Sequence, residues 1–187
     1  MGPNKIMIVR HAEKPVPDKV EGVRARGTAD AASLTPLGWQ RAGALVGFFE
    51  HPRSPHIACP EHLFAVRFDL ADADSSRRPK QTLRPLSQAL GLPINDGFGK
   101  EQEARLVQSM ARLTGTVLIA WSHENIAKIV AALGMADAVP SEWPDERFDV
   151  VWVFDRVHQR TRFTQVPQCL LAGDSVDPIE TKPSAPS

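Results

Sequence analysis

The segment IMIVRHAEKP, residues 6–15, passes from four apolar residues directly into Arg10, His11, Glu13 and Lys14. An unpaired charge in a protein interior costs several kcal/mol, so these groups either face solvent or converge on an anion. Two further segments carry related chemistry. Ser122, His123, Glu124 and Asn125 follow the apolar run TVLIAW, and Arg77 and Arg78 stand just before PKQTLRPLSQAL. Two histidines, arginines and a carboxylate suit phosphoryl transfer. A neutral imidazole attacks phosphorus to give a phosphohistidine, and arginines grip the equatorial oxygens and offset their charge in the transition state. A second imidazole donates to the same oxygens, and a carboxylic acid protonates the leaving group. Neither histidine has an HxxxH or HExxH companion, so no metal centre or other cofactor is expected.

The elements that would bring these residues together alternate along the chain. Residues 5–9, 63–71 and 116–122 read as continuous apolar strands, and 149–157 with 161–166 as a terminal strand pair. Helical spacing marks residues 33–50, with Thr35 as N-cap and Pro36 at the first helical position. Helices are also expected over 79–90, kinked or divided at Pro85, over 100–113 and over 125–134, the first and last closed by Gly91 and Gly134. Apolar strands alternating with amphipathic helices predict a three-layer α/β/α sandwich with a mostly parallel central sheet. Ligands in such sheets bind beyond the carboxyl ends of the strands, which is where Arg10, His11 and His123 fall.

Bulk properties narrow the partners. The 187 residues predict a single domain over 1–172 and a poorly ordered tail over 173–187. Lys+Arg and Asp+Glu both total 22, which argues against nucleic acid and anionic membranes but permits a local basic pocket. No apolar run has the length of a membrane span or a signal-peptide core. Cys59 and Cys169 lie far apart with no metal spacing, and the expectation is two buried thiols in a reducing, cytoplasmic protein.

Taken together and in order, VRHAEKP (9–15), LTPLGWQRA (34–42), RRPKQT (77–82) and SHENI (122–126) resemble the histidine phosphatase superfamily, whose members include phosphoglycerate mutases, phosphohistidine phosphatases and acid phosphatases. The resemblance spans about residues 5–165. It implies a phosphoglycerate mutase-like fold and a covalent phosphohistidine intermediate on His11. It further implies that Arg10, Arg78 and His123 bind phosphate, and that Lys14 stands where the acid-phosphatase branch has a further arginine. Thr35 and Gly38 match a segment read as structural. The usual glycine after the first histidine is here Ala12, a mild change only where φ is negative. For the proton donor the family leaves Glu124, Glu101 and Glu103 open, with Glu124 preferred for its place beside His123.

The implied activity is hydrolysis of a phosphomonoester or phosphohistidine in a phosphorylated small molecule or phosphoprotein. A mutase-type transfer and a non-catalytic phosphate-binding module are the alternatives. Arg77 is read as a solvated charge, Glu13 as either solvent-facing or a ligand contact, and Trp143 as packing. Specificity would reside in loops 14–32, 51–62 and 135–147, none of which carries a readable code.

Overall fold

The computed structural model describes residues 2–72, 74–158 and 160–180. Its strands are β1 (Lys5–Arg10), β2 (His62–Ala65), β3 (Ile94–Asn95), β4 (Thr116–Trp121), β5 (Val150–Val157) and β6 (Arg160–Pro167). Its helices are α1 (Pro36–Glu50), α2 (Arg78–Leu90), α3 (Glu103–Met110) and α4 (His123–Ala132). Successive strand residues point to opposite faces, and the central strands are apolar on both. Ile6 and Ile8 of β1, with Val117, Ile119 and Trp121 of β4, join a core under α3 and α4. Met7, Val9, Leu118 and Ala120 join a second core under α1 and α2. Each fully buried Leu, Ile or Phe in these layers contributes about 1.5–3 kcal/mol. The result is the mostly parallel three-layer sandwich expected from the sequence.

The sheet order is β3-β2-β4-β1-β5-β6. β3, β2, β4 and β1 are parallel, β5 runs against β1, and β6 runs against β5. Register positions the chemistry. Arg10 is opposite Trp121, the last residue of β4, and the His11 N–H donates to the Trp121 carbonyl at 3.0 Å. The chain segments carrying His11 and His123 therefore leave the sheet side by side.

Several expectations are corrected. β2 stops at Ala65, so Arg67 lies beyond the strand and not within it. α2 continues through Pro85 from Arg78 to Leu90 without dividing, with Leu83 and Leu86 buried against the sheet on that face. α3 begins only at Glu103, leaving Glu101 in the preceding loop with φ at +66°. Cys59 and Cys169 are exposed free thiols, not buried ones. Part of the segment expected to form the tail packs on the domain. Ile179 is buried against the α3/α4 core, and Asp174 is locked to Arg41. The remainder of that tail, 181–187, lies outside the described residues. Among the described residues no helix is long and apolar enough to cross a membrane.

Candidate active site

Two wide surface grooves lie away from the point where the chemistry converges. One of about 680 Å³ runs along α2, and one of about 810 Å³ lies at the β5–β6 turn. A smaller cleft of about 60 Å³ is lined by His11, Lys14, Arg78, His123 and Glu124 together, with Arg67 and Lys100. The residues that the sequence scatters over more than a hundred positions share this one space.

His11 is 3% exposed. Its Nδ1 lies 2.7 Å from the Ala12 carbonyl. A carbonyl only accepts, so Nδ1 carries the proton and Nε2 the lone pair. Burial holds the imidazole well below its ordinary pKa, and the Arg78 guanidinium lowers it further, with smaller contributions from Arg10 and His123. The ring is thus neutral and its nucleophilic nitrogen is defined. Ala12 has no positive φ, so the alanine fits the turn without strain. Its N–H donates to Thr82 Oγ1 at 2.8 Å, and that hydroxyl donates to the Arg78 carbonyl at 2.8 Å. Thr82 therefore ties the His11 turn to the start of α2.

Two helix N-termini border the cleft. Arg78 is the first residue of α2 and His123 the first of α4, and neither helix has a side-chain cap. Uncapped N–H groups and the helix dipole favour an anion there. Arg78 donates from its guanidinium to the Ala31 carbonyl at 3.1 Å. His123 Nε2 is 3.2 Å from Asp145 Oδ1, and Nδ1 is 3.7 Å from Glu124 Oε1. Burial and the Arg10 charge lower the His123 pKa, while Glu124 and Asp145 pull it the other way.

Arg10 is placed differently from expectation. Its side chain is fully buried and stacks on Phe148, 4.0 Å from the ring centroid. Its guanidinium donates to the carbonyls of Pro144 and Asp145 and, at 2.9 Å, to the Asp145 carboxylate. Lys14 donates to both oxygens of the same carboxylate, at 2.7 and 2.9 Å. Asp145 thus draws Arg10, Lys14 and His123 onto one negative charge, and the Lys14 ammonium above all holds its pKa below the usual carboxylate range. Trp143 anchors this strap, packing on Trp152 with ring centroids 4.8 Å apart.

On the other flank, the residues after His11 are bolted to α1. Arg41 donates to Glu13 Oε1 at 2.8 Å, to Asp174 at 2.7 and 3.1 Å and to Gln168 at 3.0 Å. Glu13 is accordingly neither a ligand contact nor a free surface group. Thr35 caps α1 through the Gly38 N–H at 3.1 Å, and its own N–H donates to the Glu13 carbonyl at 3.1 Å. A Cβ at Gly38 would stand 2.8 Å from that carbonyl oxygen, so this close approach requires glycine. Arg77 stacks on Phe68 at 4.0 Å and pairs with Asp30 at 3.3 Å, and so is not simply solvated.

The three carboxylates considered for the acid are separated by geometry. Glu124 lines the cleft. Glu101 is held by Lys128 and Asn125, and the Lys128 hydrogen bond lowers its pKa. Glu103 is 3% exposed and accepts from Trp121 Nε1 at 3.1 Å. Asp145, Arg67 and Lys100 lie outside the four sequence motifs, and Thr82 lies within RRPKQT with no role implied for it there. Arg67 had a usable signal, its place at a strand end, which extending β2 to residue 71 concealed.

The sequence matches no family model and no curated protein. The fold, by contrast, is shared with solved structures across most of the chain. A protein described as the phosphohistidine phosphatase SixA from Agrobacterium tumefaciens superposes with a TM-score of 0.50 at 15% identity, covering 86% of this chain and 96% of that one. A phosphoserine phosphatase mutant from Entamoeba histolytica, in complex with phosphoserine, gives 0.52 at 11% identity, covering 86% and 94%. A protein described as an alpha-ribazole-5′-P phosphatase from Escherichia coli gives 0.54 at 9% identity, covering 87% and 96%. The fold is therefore the phosphoglycerate mutase-like one, as the four sequence motifs implied.

Proposed function

We propose that this protein is a phosphatase that hydrolyses a phosphomonoester or phosphohistidine through a covalent phosphohistidine on His11. The observation that carries the reading is the buried, neutral His11 with its Nδ1 proton directed to the Ala12 carbonyl, in one cleft with Arg78, Lys14 and His123. His11 Nε2 attacks phosphorus, the bond to the leaving oxygen or nitrogen breaks, and Glu124 as a carboxylic acid protonates the departing group. Water, losing its proton to the Glu124 carboxylate, then attacks the phosphorus, and the P–N bond to His11 breaks to release inorganic phosphate. Arg78, Lys14 and His123 hold the phosphoryl oxygens, and Arg10 joins them as Asp145 yields its place. Positive side chains supply the charge that a metal supplies in other phosphoryl-transfer sites.

Hydrolysis of para-nitrophenyl phosphate in EDTA tests this, comparing wild type with His11→Ala. The expected result is turnover that survives chelation and falls by at least a thousandfold in the variant, with an alkali-stable, acid-labile phosphoryl group trapped on the wild type only. Because burial and Arg78 hold His11 below its ordinary pKa, the acid limb of kcat/KM is expected below the value of about 6.5 typical of free imidazole. Phosphate binding with no turnover of any phosphomonoester or phosphohistidine would favour the non-catalytic reading.

A further inference from the structure

The cleft holds more positive charge than one phosphoryl group needs. Lys14 and Arg78 lie with His11 in the cleft, yet the same space is also lined by Arg67, two residues past β2, and by Lys100, in the loop before α3, with Asp74 as well as Glu124 among its acidic residues. Neither has a carboxylate within ion-pair distance among the described residues. Lys100 Nζ donates to the Asp74 carbonyl at 3.0 Å, and Arg67 reaches the Gly97 carbonyl only at 3.5 Å. Arg78 likewise donates to a carbonyl, so among the described residues these three cations meet backbone oxygens and form no ion pair.

The pairing of Arg67 with Lys100 is built into the backbone. The Arg67 N–H donates to the Phe98 carbonyl at 2.7 Å, which docks the end of β2 onto the 97–102 loop. Gly99 is buried there, and the Arg67 guanidinium lies where a side chain at 99 would go, 3.2 Å from the position of its Cβ. The glycine thus lets the guanidinium lie against the residue adjoining Lys100. By contrast, Arg24 and Arg77 both pair with Asp30.

We propose that Arg67 and Lys100 form a second anion subsite, so that the preferred substrates are phosphomonoesters carrying a further carboxylate or phosphate a few bonds from the reacting phosphoryl group. The proposal rests on the phosphatase reading above and adds the substrate class. A guanidinium beside an ammonium suits either anion, as charge-assisted donors to a planar or tetrahedral oxygen set.

The test is a three-carbon series: n-propyl phosphate, 3-phosphooxypropanoate and propane-1,3-diyl bisphosphate. The readout is the kcat/KM ratio of each doubly anionic compound to propyl phosphate, in wild type and in Arg67→Ala/Lys100→Ala. A ratio of about tenfold or more, carried by KM and reduced to near one in the double variant, is expected from two charge-assisted contacts in a partly open site. The larger ratio of the two assigns carboxylate or phosphate. A wild-type ratio near one, a ratio that survives the double variant, or equal losses on all three compounds would overturn the subsite. Calorimetric binding of the same series to His11→Ala, with and without the Arg67 and Lys100 changes, reads the preference without turnover. A binding preference that vanishes in the triple variant upholds the subsite even where the phosphatase reading fails, and its absence overturns the subsite even where that reading stands.

Discussion

Two segments grip the residues that follow β1, and they do so by different means. On the α1 side, Glu13 meets Arg41, which also binds Asp174 and Gln168, with the Arg41 and Asp174 side chains each 5% exposed. On the other side, the 143–149 strap meets Arg10 and Lys14 through Asp145, whose side chain is 60% exposed. Both flanks use a carboxylate against a guanidinium. Buried charges with no escape to water are costly to separate, whereas the Asp145 carboxylate is open to water although its partner Arg10 is buried, and solvent weakens what it gains from that pairing. The first flank is scaffold. The second presents a half-exposed carboxylate to Arg10 and Lys14, two of the cations the proposed phosphatase reading assigns to phosphate.

The largest test of this contrast is Arg41→Ala. It strands the Glu13 and Asp174 carboxylates in a buried setting and is expected to cost about 3–5 kcal/mol in urea unfolding. A loss under about 1 kcal/mol would erase the distinction between the flanks. Next comes Asp145→Asn, which keeps the shape and removes the charge. Inhibition by inorganic phosphate is expected to tighten about tenfold, equivalent to about 1.4 kcal/mol, with a smaller loss of stability than in Arg41→Ala, because the buried Arg10 keeps the Pro144 and Asp145 carbonyls. An unchanged inhibition constant would mean that Asp145 does not compete for the anion site. The smallest effect belongs to Thr35→Ala, where removing the α1 cap is expected to cost about 1 kcal/mol in thermal or urea melts.

The legible parts of this molecule were those with local or periodic signals. The apolar runs of β1 and β4, the Thr35–Pro36 helix start and the Gly91 stop are written in consecutive residues, and the structure follows them. His11, Arg78, His123 and Glu124 could be brought together in advance because strand ends in a parallel sheet share an edge. Arg10 was visible as a residue but not as a contact. Its partners, Pro144, Asp145 and Phe148, sit in a loop with no period, more than 130 positions away. Glu13 was misread for the same reason, since its partner Arg41 shows outwardly only as one charge in an amphipathic helix. Arg67 was hidden by overextending β2, where the apolar pattern continues past the last sheet hydrogen bond.

Asp174 gives the C-terminal segment a significance that its composition conceals. This residue closes a turn by accepting the Leu170 and Leu171 N–H groups at 2.8 and 3.0 Å while it holds Arg41, and Arg41 holds Glu13, two residues from His11. A protease nick or a shortened expression clone that removes this turn would therefore reach the nucleophile through two ion pairs without touching the cleft. Activity lost on such trimming would report a loosened scaffold, and a trimmed preparation is a poor reference for the catalytic residues themselves.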